Sequence, residues 1–187
     1  ALRPALVCVV RATSCQKPSS LSPCFMPALD ARVLRHCHLA HTRNLAHNLA
    51  SIAEQGDCLL LKGDLGAGKT HFANAYIDAL CDVAVVTSPT FTIGTCYTMT
   101  RSPLTGRALW HYDLYRLRHE EEIEETGLEE SLQSGITLIE WPEIAEFFLP
   151  ATALHITFAF DRQPDYRDIT IRGDAVWRSR LTQIRMP

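Results

Sequence analysis

The 187-residue sequence predicts an α/β fold, in which a mixed, mostly parallel β-sheet is flanked by helices and extended by antiparallel hairpins. The short unbroken apolar run at residues 58–61, and the run Ile-Thr-Leu-Ile at 136–139, are typical of strands buried on both faces of a parallel sheet. A glycine-rich turn and a helix-forming segment follow the first run. Strict alternation at residues 154–160, resumed at 169–171, indicates an antiparallel hairpin, expected at the sheet edge.

The turn after the first apolar run carries a phosphate-binding motif. Residues 63–70 have the sequence GDLGAGKT, which fits G-x-x-x-x-G-K-[ST] in the strand, loop, helix context that the motif requires. Glycines let successive backbone N–H groups turn towards an anion, and the helix beginning near Lys69 adds its positive N-terminal end. Lys69 would reach the β- and γ-phosphates of a nucleotide, and the Thr70 hydroxyl would ligate Mg²⁺.

Residues 1–30 are predicted to be a disordered extension without catalytic residues, ahead of a single domain over residues 31–187. No acidic residue precedes Asp30, and basic residues are interleaved with Ser, Thr, Cys and Pro. This composition fits an organellar transit peptide. Met26 could equally be the start residue, with the preceding residues an upstream extension of the reading frame. Composition alone leaves both interpretations open.

Apolar residues at helical spacing predict a helix from about His38 to Glu54, closed by Gly56. Several potential metal ligands fall in or just before this helix. They lack an acidic or cysteine pair at ligand spacing, so a solvated helix face is the preferred interpretation over a metal site. The residues concerned are His36, Cys37, His38, His41 and His47.

A second buried strand is predicted at residues 83–86, and the hydroxyl-rich segment TSPTFT follows at 87–92. Ligands collect at this end of the strands in open α/β sheets. Thr87, Ser88 and Thr90 could therefore sense a γ-phosphate as a switch segment does. Serine and proline also make capped turns readily, and this segment alone favours neither interpretation.

Two carboxylates at strand ends are candidates for the chemistry. Residues 91–100 and 107–115 are predicted to form a hairpin, and Asp113 near its end would position water at the γ-phosphate or cap the following turn. Glu140 ends the buried strand at 135–140 and is the preferred partner of Thr70 on Mg²⁺. The alternative is that Glu140 caps the helix predicted to start at Trp141 and Pro142.

The remaining segments and the composition limit the class of protein. The acidic segment 119–127 is interpreted as a solvated helix face, with a partner-docking surface as the alternative, and a second helical turn follows at 128–133. A net charge of −3 argues against a broad direct contact with nucleic acid. Seven scattered cysteines without a C-x-x-C pair indicate free thiols in a reducing compartment. No apolar run approaches the ~20 residues of a membrane span, so a soluble protein is expected.

Four motifs in order, at residues 63–70 (GDLGAGKT), 88–92 (SPTFT), 111–117 (HYDLYRL) and 139–143 (IEWPE), resemble the TsaE family. The resemblance runs from about residue 36 to 172. It implies a P-loop ATPase domain, cytoplasmic, that hydrolyses ATP weakly alone and serves threonylcarbamoyladenosine modification of tRNA beside the anticodon. The implied partners are the two paralogous subunits of the threonylcarbamoyl transferase complex, through which tRNA is reached indirectly. A transit peptide would instead imply a mitochondrion or plastid.

The same resemblance implies a set of site residues for ATP and Mg²⁺. Thr70 and Glu140 would hold the metal, and Asp113 would be the carboxylate needed for activity, with Lys69 also catalytic. Leu39 and Thr42, together with Tyr166 and Arg167, would flank the nucleoside. The phosphates would contact Asp64, Leu65, Gly66, Ala67, Gly68, Lys69 and Thr70.

A small-molecule kinase is the alternative function, because such enzymes share the loop and a similar length. Kinases usually cover the phosphates with a lid that carries arginines. The region from Leu104 to Leu117 offers only Arg107 and Arg116, which are too few for such a lid. A nucleotide-binding scaffold without turnover is disfavoured by the presence of both Asp113 and Glu140.

Overall fold

A computed structural model describes residues 31–83, 93–101 and 103–187, and one seven-stranded sheet organises this part of the chain. The strands are β1 (Ala31–Cys37), β2 (Cys58–Lys62), β3 (Gly94–Thr98), β4 (Ala108–Asp113), β5 (Gly135–Glu140), β6 (Leu154–Phe160) and β7 (Arg167–Arg172). The helices are α1 (Leu39–Ser51), α2 (Lys69–Leu80), α3 (Glu121–Glu124), α4 (Leu128–Ser134) and α5 (Ala175–Leu181), and a 3₁₀ helix spans Pro142–Phe148.

The strands lie in the order β1-β7-β6-β2-β5-β4-β3. The four central strands, β6, β2, β5 and β4, pair in parallel. The antiparallel pairs flank them, β3 with β4 on one side and β7 with β6 and β1 on the other. The predicted fold class, a mixed α/β sheet extended by antiparallel hairpins, is confirmed.

Side chains that alternate along the central strands divide the core between the two faces of the sheet. Leu59 and Leu61 of β2 belong to a cluster that includes the buried faces of α1 and α2 and Trp177 of α5. Cys58 and Leu60 point the other way, into a cluster with Ile123 of α3 and residues of α4. Helices on both faces explain why β2 and β5 are apolar without alternation.

The position of the C-terminal hairpin differs from the prediction. β6 and β7 pair antiparallel as expected, but the hairpin is not at the sheet edge, because β1 pairs with β7 and covers it. β1 was not predicted from the sequence, and its pairing joins Ala31 to Arg172 across almost the whole described chain. Residues 84–86 of the strand predicted at 83–86, and the whole switch segment at 87–92, lie outside the described residues.

Helix and hairpin predictions agree with the structure apart from their ends. The first helix runs over Leu39–Ser51 rather than to Glu54, and the hairpin strands are shorter than the predicted arms. The four cysteines of the described ranges, Cys37, Cys58, Cys81 and Cys96, form no disulfide bond with one another, and Cys96 is the least buried of them. Within those ranges, no helix combines the length and apolar character needed to cross a membrane.

A buried ion pair fixes α5 against the start of β2. Arg180 is 7% exposed and donates through Nη1 and Nη2 to the two carboxylate oxygens of Asp57, at 2.8 and 2.6 Å. Its guanidinium also lies 4.0 Å from the ring centroid of Trp177 and donates to the Ile52 carbonyl. The basic C-terminal helix α5 therefore closes the core beside α1.

We expect Arg180→Ala to lower the free energy of unfolding by about 3–5 kcal/mol, because it leaves the largely buried Asp57 carboxylate without its ion-pair partner and with only the Glu54 backbone N–H as donor. The measurement is the guanidinium chloride midpoint and slope of the variant. Arg107→Ala is the matched control, since that side chain is exposed and its removal should change stability by less than about 0.5 kcal/mol. Equal stability of the two variants would contradict the assignment.

Candidate functional site

Glycine geometry shapes the phosphate loop between β2 and α2. Gly63 has φ of 138°, and a Cβ there would collide with the carbonyl oxygen of Phe158 on β6. Gly68 has φ of 107° and stands at the N-cap of α2, so that the helix begins at Lys69. Both positions require backbone conformations that only glycine adopts without strain. The loop therefore runs from the carboxyl end of β2 directly into the positive end of a helix, as the motif predicts.

Lys69 is the most constrained charged group of the loop. The side chain is buried, and Nζ donates to the carbonyl oxygens of Gly63 and Asp64 at 2.6 and 2.9 Å. The ammonium also lies 3.8 Å from the ring centroid of Trp141. Burial lowers the pKa of Lys69, while the negative charges of Glu140 and Asp113 act in the opposite direction. A partly desolvated cation thus sits beneath the loop, with hydrogen bonds that an anion could replace.

Thr70 and Glu140 form a direct pair across the carboxyl end of the sheet. The Thr70 hydroxyl donates to Oε2 of Glu140 at 2.8 Å, and Oε1 of Glu140 lies 3.0 Å from Nε2 of His111. Glu140 is 1% exposed and His111 fully buried. The alternative that Glu140 caps the following helix is wrong in geometry, since the 3₁₀ helix begins without a side-chain cap and its N-cap residue is Trp141.

Asp113 lies beside Glu140 because β4 and β5 are parallel neighbours in register, with these two residues paired at the strand ends. Its Oδ1 accepts a hydrogen bond from the Tyr115 backbone at 3.1 Å, so the capped turn considered for this residue is present. Burial raises the pKa of Asp113, the Tyr115 hydrogen bond lowers it, and the charge of Glu140 raises it further, with a net increase. The carboxyl group also lines the cavity at the loop.

Two cavities adjoin at the phosphate loop. One, of about 300 Å³, is lined by Lys69, Thr70, Asp113, Glu140 and neighbouring residues. The other, of about 340 Å³, lies between the start of α1 and the turn that joins β6 to β7. Leu39, Gly66 and Gly68 line both cavities. Together they offer one compartment rich in charged groups and a second beside it, which suits a phosphate chain and the nucleoside attached to it.

The second cavity brings together distant parts of the chain that the sequence analysis placed around a nucleoside. Leu39 and Thr42 line it from α1, and Arg167 lines it from the opposite side. Arg167 Nη2 donates to the carbonyl oxygen of Gly66 at 3.3 Å, which ties the turn to the phosphate loop. Tyr166 does not line this cavity. Its ring stacks on His36 instead, with centroids 3.7 Å apart.

The histidines before and within α1 have local structural roles that were not predicted. His38 is the N-cap of α1, where its Nδ1 accepts from the Ala40 backbone, and Nδ1 of His41 accepts from the His38 backbone. His36 adopts φ of 57° and places Nδ1 3.3 Å from a carboxylate oxygen of Asp161. Imidazoles therefore make the capping box that serine and glutamate usually make.

The oxygens at the loop fit a magnesium ion. Mg²⁺ is typically held by one or two protein oxygens while waters and phosphates complete its shell. The Thr70 hydroxyl and the Glu140 carboxylate supply two such oxygens at the mouth of the loop. In the described ranges, no group of three or more His, Cys, Asp and Glu residues has the arrangement of a metal centre. The donor set thus suits a hard cation brought with a nucleotide rather than a cage made by the protein alone.

Two neighbours of the site were not identified from the sequence. His111 belongs to a quoted motif without having been given a role, and Trp141 was considered only as a helix start. The spacing of His111 and Asp113 was the available signal, because residues two apart on a strand lie on the same face. The contact between the Trp141 ring and the Lys69 ammonium could not be predicted from the sequence. Trp141 has φ of 57°, a conformation that a tryptophan adopts only where tertiary contacts impose it.

A glycine-shaped phosphate loop between a buried parallel strand and a helix defines an α/β protein of the P-loop class. More narrowly, the chain belongs to the TsaE family, since the model of the family described as threonylcarbamoyl adenosine biosynthesis protein TsaE matches residues 37–169. The resemblance noted from the four motifs is therefore confirmed.

Individual relatives agree with the family model. The protein named tRNA threonylcarbamoyladenosine biosynthesis protein TsaE from Rickettsia bellii is 40% identical over 116 residues, 62% of this chain and 77% of that protein. A protein of the same name from Bacillus subtilis is 39% identical over 130 residues, 69% of this chain and 77% of the relative. The Rickettsia conorii protein of that name is 40% identical over 116 residues, 62% of this chain but only 63% of the relative, less than two thirds.

A solved structure has the same fold. The crystal structure of YdiB from Bacillus subtilis superposes with a TM-score of 0.64 at 29% sequence identity, covering 84% of this chain and 95% of that one. The superposition supports the α/β assignment made from the sequence.

Proposed function

We propose that this chain is the ATP-hydrolysing subunit required for threonylcarbamoyladenosine modification of tRNA next to the anticodon. The names of the relatives supply the pathway. One observation supports the proposed ATPase activity. Lys69 and Thr70 of the phosphate loop line the same cavity as Glu140 and Asp113. Phosphate-transfer sites of this class need a cation, a hydroxyl for the metal and a carboxylate at the strand ends, and all three are present.

In the proposed reaction, the loop backbone and Lys69 bind the β- and γ-phosphates, and Lys69 exchanges its bonds to the Gly63 and Asp64 carbonyls for phosphate oxygens. Thr70 and Glu140 hold Mg²⁺, which when bound neutralises charge that develops between the β- and γ-phosphates. Asp113 orients a water for in-line attack and accepts its proton as the bond to the β-phosphate oxygen breaks. The nucleoside occupies the cavity between α1 and the β6–β7 turn, which Leu39, Thr42 and Arg167 line.

We further propose that hydrolysis works as a switch on the transferase complex. The ATP-bound form of the chain engages the two paralogous partner subunits, and hydrolysis releases and resets them. The tRNA is contacted through those subunits, consistent with the acidic net charge of −3. Residues 31–187 form the working domain. The proposed site of action is the cytoplasm, or a mitochondrion or plastid should residues 1–29 act as a transit peptide.

The test is ATP hydrolysis by the purified chain alone and with the two partner subunits and tRNA, while threonylcarbamoyl transfer is followed over repeated cycles. We expect slow hydrolysis alone, stimulation by the partners, and transfer that continues beyond one cycle only when hydrolysable ATP is present. Partners without effect, together with transfer of the γ-phosphate to a small molecule, would replace this proposal with the kinase alternative.

A further inference from the structure

His111 is a buried polar residue that the proposed chemistry does not use. It lies on β4 and is fully buried, and it lines neither of the two cavities at the phosphate loop. Its Nε2 nonetheless lies 3.0 Å from Oε1 of Glu140. Burying an imidazole beside a buried carboxylate is costly unless the pair makes a hydrogen bond, so this contact requires an explanation.

The two carboxylate oxygens of Glu140 have different hydrogen-bond partners. Oε1 faces His111 in the core, and Oε2 faces Thr70 at the phosphate loop. With His111 as donor on one side, the carboxylate cannot rotate without losing a bond in a site from which water is largely excluded. The oxygen that faces the loop is therefore held at a fixed position.

The other ring nitrogen of His111 indicates which nitrogen carries the proton. Nδ1 is buried without a hydrogen-bond partner among the described residues. An unsatisfied N–H donor in that position would be costly, whereas Nε2–H donates to a carboxylate oxygen. The geometry thus places a proton on Nε2, in the hydrogen bond to Glu140.

We propose that His111 is a positioning residue, which holds Glu140 by an Nε2–H···Oε1 hydrogen bond so that Oε2 and the Thr70 hydroxyl present a preformed pair of oxygens to the divalent cation. This inference rests on the proposed function, because it concerns the metal that accompanies the nucleotide. Removing a residue that hydrogen-bonds to a metal ligand typically weakens metal affinity by about 10- to 100-fold.

The test compares three substitutions at His111 by using Mn²⁺ as a spectroscopic probe for the divalent site. His111→Gln places an amide N–H near the position of Nε2 and keeps a donor to Glu140. His111→Asn is shorter and places its amide near the position of Nδ1, away from the carboxylate. His111→Leu removes the donor with little change in bulk. Electron paramagnetic resonance gives Mn²⁺ affinity with ADP bound, and a fluorescent ADP analogue in EDTA gives nucleotide affinity without metal.

We expect the Leu and Asn variants to bind Mn²⁺ about 10- to 100-fold more weakly than the wild type, and the Gln variant to remain within about threefold of it. All folded variants should bind the nucleotide in EDTA with wild-type affinity. A purely structural role of His111 would change both measurements together. If the Leu variant does not fold, the difference between the Gln and Asn variants decides.

Two results would overturn the inference, and they are distinguishable from failure of the proposed function. Wild-type Mn²⁺ affinity in the Asn and Leu variants would remove His111 from any positioning role. A Gln variant as weak as the Asn variant would show that the donor is not what matters. Should the wild-type chain itself fail to bind the nucleotide or Mn²⁺, the proposed function falls first and the inference falls with it.

Discussion

Replacing Lys69 with Ala is expected to abolish magnesium-dependent ATP binding. The ammonium is partly desolvated and held by the Gly63 and Asp64 carbonyls beneath the loop, so its charge is available to the phosphates without reorganisation of solvent. Charge-assisted bonds to phosphate are among the strongest that a side chain makes. Loss of at least ~100-fold in affinity, about 2.7 kcal/mol, is expected, as measured by titration calorimetry with ATP and Mg²⁺.

Thr70→Ala should lose magnesium-dependent binding in the same way, because the hydroxyl and Oε2 of Glu140 form the proposed metal pair. Thr70→Ser is the matched variant, since it keeps the hydroxyl and should retain binding. Lys62→Ala controls for removal of a positive charge nearby, because Lys62 ends β2 but lines neither cavity. Wild-type affinity for ATP and Mg²⁺ in Lys69→Ala or Thr70→Ala would contradict the assignment of residues 63–70 as a phosphate-binding loop.

Asp113→Ala should leave ATP binding within about threefold of the wild type while reducing turnover by about 10²- to 10⁴-fold, the usual contribution of a general base. Single-turnover hydrolysis at saturating ATP, with binding measured separately, gives both quantities. Asp82→Asn, an exposed aspartate far from the loop, is the control for loss of a carboxylate. If Asp113→Ala loses ATP binding, the turn capped through Tyr115 is its main role and the residue is structural.

As the pH is lowered, the hydrolysis rate should begin to fall at a pH above the usual range for an aspartate. The carboxylate form is needed to accept a proton from water, and protonation removes that capacity. Because burial raises the pKa of Asp113, activity should decline as the pH falls through a value above the usual aspartate range. The acid limb of the pH profile measured for turnover of bound ATP tests this, and an acid limb in the ordinary aspartate range would contradict it.

Local patterns were sufficient for the elements that carry the phosphate chemistry. The strand β2, the loop and α2 are consecutive in the chain, so spacing and composition specify them together. Glu140 was placed correctly at the end of β5, because the mostly apolar run before it marks a buried strand and its end marks the carboxyl edge of the sheet. The α/β class followed from the same runs.

Features formed by contacts between distant residues could not be predicted in this way. β1 has Arg32 and Arg35 among its residues and an exposed Val33, and it becomes a strand only through its pairing with β7. The contact of His111 with Glu140 depends on the parallel register of β4 and β5, which no local pattern specifies. The bond from Arg167 to Gly66 likewise spans 101 positions.

The pairing of β1 with β7 has a consequence for how the protein is made. The wall of the second cavity joins Leu39 and Thr42, near one end of the described chain, to Arg167, near the other. The ribosome synthesises the chain from the N-terminus, so the phosphate loop emerges well before the segment that completes the wall of the second cavity. Contacts between such distant residues form late, because they carry a large loop-closure cost. A nascent chain that ends before β7 therefore presents the phosphate loop without the wall of the second cavity that Arg167 supplies.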